Sequence, residues 1–484
     1  FNPVYHGNCF GVVLFFFFGR LHYDLKGKYL VDFTVRRDGS SRFGVNNRFG
    51  VFPAVSLGWV LSEENFMTGT NGWLDYFKLR GSWGQSGNDQ IGNYNSFSTF
   101  GSAPGNSFYA ITGADNAITL GYQSTAIGNP NARWETTTSS NIAFDATLFR
   151  SLDISVDFWQ KNTEDMLFAV AIPQVVGSAN APAVNIGSME NRGVDIVLDY
   201  RGAVFNNALK YNISANFTQY RNEVTKLSDN ENEFIQGTAT RGQVYTRTEV
   251  GRSFPEYFGY VIDGIFQTQE QADAHPTNGT YNQPGNLIVR DVDGDGVITQ
   301  DDRTYIGNPH PDFTAGLRAG LEYRGFDLSA TFYASVGNDI ANYTSRFIRY
   351  GLFQGPNSPD RLFRSWGSPY LDNNADAILP KASTATSFEQ NASTEYIEDG
   401  SFLRLQNLQL GYNVPPSVLD AINISALRFY VMGANLLTVT NYSGLDPEIT
   451  AKRTNGVGFE IDRGIDVGTW PISRQIMFGL NITL

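Results

Sequence analysis

The stretch IAFDATLFRSLDISVDF, residues 142–158, alternates apolar with polar residues on both sides of a short turn at Phe149–Ser151. Successive side chains of a β-strand point to opposite faces, so each half of this stretch has one apolar and one polar face. Asp145 and Asp157 both fall on the polar face. The stretch therefore predicts two antiparallel strands joined by a tight connection.

Alternation of this kind recurs along much of the chain. It is clear in 210–220, 326–336 and 472–484, where apolar residues occupy nearly every second position. The pattern predicts about 13 strands. Their predicted bounds are 11–23, 29–36, 50–60, 76–84, 134–148, 152–161, 191–200, 210–220, 312–323, 326–336, 401–412, 427–438 and 472–484.

Five charged residues of these strands lie on the polar phase. A charge that faces lipid at the middle of a membrane costs roughly 2–4 kcal/mol, so in a transmembrane barrel such residues must face the lumen. Asp145, Asp157, Asp195, Arg318 and Glu322 meet that condition. A soluble sheet that packs one face on a core has the same alternation, so the connections must decide between the two folds.

The predicted connections tend to alternate between short and long. Short ones are Asp24–Lys28, Phe149–Ser151, Gly202–Leu209 and Arg324–Gly325. Long ones are Gln85–Arg133, Asn162–Asn191, Arg221–Pro311, Gly337–Gly400 and Thr440–Pro471. Short periplasmic turns and long extracellular loops are typical of outer-membrane barrels. The predicted fold is all-β, a transmembrane antiparallel up-and-down β-barrel.

The composition agrees with this fold and excludes other classes. Charged residues are 17% of the 484 residues, below the roughly 25% of average soluble domains. No apolar run approaches the roughly 20 residues of a membrane helix, since the nearest, Phe10–Phe18, is short and contains Gly11. The net charge of -13 argues against a nucleic-acid partner. The single cysteine, Cys9, allows no intrachain disulfide.

The strand count indicates that part of a barrel lies outside this sequence. Bacterial single-chain barrels have even strand numbers and must close, whereas the predicted count is odd. No signal peptide opens the chain, although an exported protein needs one. We therefore expect further strands before Phe1 and expect residues 1–484 to form the C-terminal part of a larger barrel.

Seven stretches carry a family resemblance. They are KYLVDFTVRRDGSSRFGVNNRFGVFPAVSLGW at Lys28–Trp59, WLDYFKLRGSWGQSGN at Trp73–Asn88, NPNARWETTTSSN at Asn129–Asn141, NIGSMENRG at Asn185–Gly193, FGYVIDGIF at Phe258–Phe266, IEDGSFLRLQNLQLGY at Ile397–Tyr412 and GANLLTVTNYSGLDPE at Gly433–Glu448. In this order and spacing the chain resembles the SusC-like (SusC/RagA) TonB-dependent transporters of the Bacteroidetes outer membrane.

The resemblance implies a barrel of the 22-strand transporter class. It also implies an N-terminal plug domain and a TonB-binding segment, neither of which is in this chain. A SusD-like surface lipoprotein is expected to cap the extracellular mouth, and the TonB complex to supply energy. The family further implies import of oligosaccharides or similar large ligands, with peptides as the next candidate.

The segment DVDGDGVITQDD, residues 291–302, matches the EF-hand calcium loop at nearly every position. The predicted ligands are Asp291, Asp293, Asp295, the carbonyl of Val297, Thr299 and Asp302. Closely spaced carboxylates repel one another unless a cation bridges them, so we expect a structural Ca²⁺. Position 12 is Asp rather than Glu, and the flanks do not have helical patterns. The alternative is a solvated acidic turn without an ion.

Other constellations predict no catalytic site. The four histidines, His6, His22, His275 and His310, are scattered, and no HExxH or GxSxG motif occurs. Loop aromatics could stack on sugars or contact a partner, although loop packing is the commoner role for each. These are Phe108, Tyr109, Tyr122, Tyr245, Tyr257, Tyr281, Tyr343, Tyr350, Phe353 and Trp366.

These observations predict a nutrient importer in the bacterial outer membrane that performs no enzymatic chemistry. Its expected partners are outer-membrane lipid, a SusD-like lipoprotein, the TonB complex and an oligosaccharide or peptide ligand. A passive porin and a calcium-stabilised surface scaffold remain as alternatives. The presence of a plug upstream of Phe1 distinguishes the importer from the porin, and a co-purifying lipoprotein distinguishes it from the scaffold.

Overall fold

The computed structural model describes most of the chain. The described residues are 11–70, 72–102, 104–109, 119–169, 177, 179–228, 234–239, 242–350, 358–383, 388–419, 424–449 and 461–483. Among them no helix combines the length and the apolar character needed to cross a membrane.

One antiparallel sheet of 13 strands dominates the fold, and its strands are hydrogen-bonded in chain order. The strands are β1 Leu14–Leu25, β2 Tyr29–Ser40, β3 Phe49–Val60, β4 Leu74–Asn88, β5 Glu135–Leu148, β6 Leu152–Glu164, β7 Ser188–Val204, β8 Leu209–Lys226, β9 Phe313–Tyr323, β10 Phe326–Val336, β11 Phe402–Asn413, β12 Ala426–Thr440 and β13 Gln475–Thr483. Each of the 13 predicted strands overlaps one of these.

The predicted bounds are too short where the apolar alternation ends before the strand does. Strand β8 continues to Lys226, six residues beyond the predicted end at 220, and pairs there with the start of β7. Apolar residues alternate with polar ones only in the part of a strand that has one apolar face. Backbone hydrogen bonding needs no such face, so a ladder can continue through polar residues.

The two faces of the sheet differ as predicted. On the polar face Asp145 lies opposite Ser155, and Asp157 lies opposite Asp195. The Arg80 guanidinium joins these strands, with Nε 2.7 Å from Asp145 and Nη2 3.0 Å from Asp157. The other face exposes large apolar side chains, such as Ile142, Phe158, Leu317, Phe429 and Phe478.

Connection length is segregated between the two ends of the sheet. At one end the connections are 26–28, 61–73, 149–151, 205–208, 324–325 and 414–425. At the other end they are 41–48, 89–134, 165–187, 227–312, 337–401 and 441–474. Five of the six connections at the second end are longer than any at the first, as the predicted topology requires, and the exception is 41–48.

The long loops have secondary structure of their own. Their short strands are Thr99–Gly101, Gln123–Ala126, Leu167–Ala169, Ala183–Asn185, Ile235–Gln236, Thr246–Thr248, Glu256–Gly259, Ile262–Ile265, Leu287–Val289, Thr304–Gly307, Asp339–Asn342, Ile397–Asp399 and Ile465–Asp466. The α-helices are Pro104–Ser107, Gln269–Ala274, Ser345–Ile348, Pro359–Phe363 and, on a short turn, Pro416–Leu419. Short 3₁₀-helices occupy Asn374–Asp376, Phe388–Gln390 and Thr394–Tyr396 in the long loops, and Leu61–Glu63 and Asn65–Thr70 in connection 61–73 at the other end.

A tyrosine-rich core joins three of the long loops. It includes Tyr245 from loop 227–312, Tyr343 and Tyr396 from loop 337–401, and Ile465 from loop 441–474. The backbones also pair, because Asp339–Asn342 runs parallel to Ile465–Asp466 and antiparallel to Ile397–Asp399. The three loops thus form one packed unit above the sheet, which we call the loop domain.

Candidate metal site on the long loops

The acidic segment 291–302 connects two strands of the loop domain, Leu287–Val289 and Thr304–Gly307. The flanks are therefore strands, which agrees with the absence of a helical pattern in the sequence. Ile298 is 8% exposed and packs with Tyr260 and Val289 in a small apolar cluster. The segment is consequently fastened to the loop domain by a buried side chain.

Three of the four predicted carboxylate ligands converge. Asp291, Asp293 and Asp302 each have one carboxylate oxygen in this group, and the three oxygens lie within 4.8 Å of one another. Asp302 is fully buried, and its oxygens accept hydrogen bonds from the backbone N–H groups of Val292 and Thr299, both at 2.7 Å. The carboxylate of Asp302, at position 12, therefore contacts the first half of the loop, as a closed calcium loop requires.

The Asp291 carboxylate organises the turn that follows it. Its oxygens accept hydrogen bonds from Gly294 N at 2.7 Å and Gly296 N at 3.0 Å. Both glycines have positive φ, 78° and 85°, which L-residues rarely adopt. Desolvation opposes ionisation of Asp291, but the hydrogen bonds from Gly296 and Gly294 outweigh it, so its pKa is lowered.

The Asp293 carboxyl is in the opposite situation. A hydrogen bond from Asp295 N favours its ionised form, yet its pKa is raised because desolvation and repulsion from Asp295, Asp302 and Asp291 together outweigh that bond. Repulsion of this kind disappears when a cation binds between the carboxylates.

The remaining predicted ligands are not part of the converging group. An oxygen of Asp295 accepts a hydrogen bond from Val297 N at 2.7 Å. The Thr299 hydroxyl accepts one from Asp301 N at 3.1 Å. Ligation by all six predicted residues stays a prediction.

A short backbone bridge holds the second half of this loop. Thr277 N donates to Gly296 O at 2.9 Å, and Ile298 N donates to Thr277 O at 2.8 Å. Thr277 follows the helix Gln269–Ala274, whose N-terminus carries a capping box between Thr268 and Gln271. The acidic loop is therefore tied to the segment that follows this helix.

The loop aromatics differ in exposure, and Phe108, Tyr281 and Trp366 are partly buried. Tyr245, Tyr257, Tyr343 and Tyr350 are at most 3% exposed and belong to the loop-domain core, so their role is packing. Tyr109 and Tyr122 are 69% and 75% exposed, which leaves their rings free for contact with a ligand or partner. Phe353 lies outside the described residues.

A buried arginine that the sequence analysis did not single out ties the last long loop to the sheet. Arg404, in β11, is 2% exposed and donates to Asp446 at 2.6 Å and to Glu448 at 2.7 Å. Its Nε also donates to Thr438 in β12 at 3.1 Å. The only indication of these ion pairs in the sequence was an arginine in FLRLQN and an acidic pair in GLDPE. Both segments lie within stretches that carry the family resemblance.

His310 lies in connection 227–312, inside the predicted long loop Arg221–Pro311. Its Nε2 is 2.7 Å from the carbonyl oxygen of Phe254, and its Nδ1 is 3.0 Å from the Tyr220 hydroxyl. A carbonyl can only accept, so Nε2 carries the proton and Nδ1 accepts from Tyr220. Burial lowers the pKa of His310 to about 4, with a smaller contribution from Arg463.

Acidification is expected to lower the stability of the folded structure around His310. The imidazole pKa is about 6.5 in the unfolded chain and about 4 in the folded protein, so between these values only the unfolded state is protonated. Stability is therefore full above pH 6.5 and falls by roughly 1 kcal/mol at pH 5.5. The free energy of local unfolding, from proteolysis kinetics at pH 7.5 and 5.5, measures this loss.

The matched variant is His310→Gln, whose amide keeps one donor and one acceptor but does not titrate. Its stability should differ less between the two pH values than that of the wild type. An equal loss in both proteins would assign the pH dependence to other groups.

The comparisons with known proteins agree with the sheet and the loops. A family model described as TonB dependent receptor-like, beta-barrel matches residues 8–436. TonB-dependent receptor P3 of Formosa agariphila is 34% identical, over 96% of this chain and 45% of the relative. TonB-dependent receptor SusC of Bacteroides thetaiotaomicron is 28% identical, over 96% of this chain and 43% of the relative.

Solved structures give the same result. The structure of the RagAB peptide transporter matches 97% of this chain and 47% of its own with a TM-score of 0.78, at 28% identity. The chain therefore belongs to the TonB-dependent receptor β-barrel family, in its SusC-like branch, and is an outer-membrane protein. It spans about half the length of the curated relatives it matches.

Proposed function

We propose that the protein is a SusC-type importer subunit that takes up oligosaccharides or similar large ligands through the outer membrane, driven by the TonB complex. The observation that carries the proposal is the family match across residues 8–436, together with a sheet whose polar face carries ion-paired charges. No covalent chemistry is part of the proposal.

The polar face of the sheet supports a water-filled passage. Ion pairs run across it, such as Arg428 with Asp327 at 2.5 Å and Arg201 with Asp153. Lysine, arginine and glutamate side chains also line a polar depression on this face, including Lys210, Arg318 and Glu322. Charged side chains of both signs suit a wet lumen or a polar partner better than lipid.

The loop domain supports a role in holding a partner or ligand at the extracellular end. Its three loops share one apolar core, and two of them also share a small sheet, so they present a preformed surface. A SusD-like lipoprotein seated on this surface would enclose a ligand between the two proteins. The exposed rings of Tyr109 and Tyr122, on loop 89–134, would add apolar contact to such a ligand or lid.

Peptide import is the second candidate. It is supported by the structural match to RagAB, which is described as a peptide transporter. The share of identical residues, 28%, is the same for RagAB and for SusC. Identity alone therefore does not rank the two ligand classes.

We also propose that residues 291–302 bind a structural Ca²⁺. The converging oxygens of Asp291, Asp293 and Asp302 and the raised pKa of Asp293 support it. Extracellular calcium modules bind with dissociation constants of about 10⁻⁴–10⁻³ M, which external calcium can fill. The ion would stiffen the connection between two strands of the loop domain rather than take part in transport.

Uptake measurements in the native bacterium test the import proposal. Deletion of the gene is expected to abolish uptake of one labelled pool, either oligosaccharides or peptides, and the intact gene to restore it. An uncoupler that collapses the proton-motive force should stop the restored uptake. Uptake that persists with the uncoupler would favour a passive porin, and unchanged uptake of both pools after deletion would favour a surface scaffold.

A further inference from the structure

A groove of about 900 Å³ crosses the outward, apolar face of the sheet between β3 and β8. Leu57, Ile142 and Phe158 line it and are 58%, 72% and 57% exposed. Gly81 lies directly opposite Ile142, and a Cβ added there would meet no atom within 4 Å. The missing side chain leaves a gap between the protruding neighbours on either side.

One edge of the groove marks the level at which this face changes from apolar to polar. Cross-strand partners at that level form the row Val55, Trp83, Ser140, Gln160, Arg192 and Arg221. The next row toward the long loops is Gln85, Thr138, Asn162, Glu190 and Glu223. The first row contains Trp83, and an aromatic side chain at an apolar-to-polar boundary is typical of the membrane–water interface.

Two arginines occupy that boundary on neighbouring strands. Arg192 and Arg221 are directly opposite each other, an arrangement in which like charges repel. Arg192 is 60% exposed at its side chain, and its ion pair with Glu190 is long, at 3.9 Å. Arg221 is exposed and has no ion pair among the residues that the structure describes. An anion placed between the two guanidinium groups would relieve the repulsion.

The chemistry of such a ligand follows from the groove itself. Its floor is apolar and faces the membrane interior, so it suits an acyl chain. Guanidinium groups bind phosphate with paired, charge-assisted hydrogen bonds. Ser140, Gln160 and Gln219 line the same groove and offer hydrogen bonds to hydroxyl groups. The carboxylates of Glu190 and Glu223 lie one row farther from the membrane, so a headgroup anchored in the bilayer reaches the arginines first.

We propose that this groove binds a phosphorylated glycolipid of the outer leaflet. Its acyl chain lies against Leu57, Ile142 and Phe158, over Gly81, and its phosphate lies between Arg192 and Arg221. The long-loop end of an outer-membrane barrel is the extracellular end, which places the boundary row at the outer leaflet.

Lipid retention by the intact protein tests the assignment. The protein is placed in phosphatidylcholine nanodiscs that contain bis-phosphorylated lipid A, and the lipid A retained per protein is measured by native mass spectrometry. Combined replacement of both arginines by glutamine is expected to lower retention about 25-fold, since each basic residue near a membrane surface strengthens anionic-lipid binding roughly fivefold and the two factors multiply. Gly81→Leu, which fills the gap, should also lower retention.

Matched variants on the same face control for charge and for side-chain size. Arg37→Gln removes an outward arginine from β2, where its partners are Phe17 and Val51, and Gly19→Leu fills an outward glycine on β1. Both should retain lipid A as the wild type does. Equal retention by the double arginine variant would overturn the proposal. Equal retention of dephosphorylated lipid A or of phosphatidylglycerol would overturn the assignment to a phosphorylated glycolipid.

Discussion

Replacing Arg404 with alanine is expected to release loop 441–474 from the sheet. The guanidinium is buried and paired with Asp446, which is 9% exposed at its side chain, and with Glu448. Removal of one partner leaves a buried carboxylate without its cation, which costs roughly 3–5 kcal/mol. Asp446 also accepts hydrogen bonds from the backbone of Glu448 and Ile472, so the loop conformation itself depends on this carboxylate.

Hydrogen exchange of the amides in 441–449 and 461–474 measures the effect. In the variant their protection should fall strongly, while amides of β2 and β3 should change little. The matched control is Arg290→Ala, which removes an ion pair to Asp263 whose side chains are 55% and 37% exposed. Exposed pairs contribute about 1 kcal/mol or less. If both variants lost the same protection, the buried ion pair would have no special role in holding the loop.

Arg404→Lys sharpens the same test. Lysine keeps the charge but has a single nitrogen in place of the fork that reaches Asp446, Glu448 and Thr438 together. In this variant the amides of 441–449 and 461–474 should be protected from exchange more than in the alanine variant and less than in the wild type. Protection at the wild-type level would show that charge alone is sufficient.

Calcium is expected to stabilise the acidic loop and its flanking strands. At a calcium concentration 100 times the dissociation constant, a ligand that binds only the folded state contributes about 2.7 kcal/mol. Amides of 287–307 should therefore exchange more slowly in 10 mM calcium than after chelation. Asp291→Asn removes the carboxylate that accepts from both Gly294 and Gly296, and it should require at least tenfold more calcium for the same protection.

The control for the calcium experiment is Asp301→Asn. Asp301 is exposed, lies in the same loop and is outside the converging group of Asp291, Asp293 and Asp302. The two variants lose the same charge, so any difference between them comes from ligation and not from the net charge of the loop. Protection that is identical with calcium and with chelator in the wild type would contradict the calcium proposal.

The convergence of Asp291, Asp293 and Asp302 was predictable because its information is local. Residues 291–302 form most of their hydrogen bonds with one another, as in Thr299 N to Asp302 and Gly296 N to Asp291. Spacing along the chain therefore determines which carboxylates can converge. The support by Thr277 and the packing of Ile298 on Tyr260 and Val289 come from elsewhere in the loop and had no local signal.

The sequence by itself determined the strands, their faces and the alternation of turns and loops. It did so because a strand between water and lipid must repeat its apolar residues with period two, and this constraint acts on every strand separately. Only the tertiary structure decided how the loops pack. Tyr245, Tyr343 and Ile465 lie far apart in sequence without any periodicity, and they meet because apolar surface is removed from water. The pairing of Arg404 with Asp446 and the opposition of Arg192 to Arg221 likewise depend on loop placement and on strand register, which single residues do not encode.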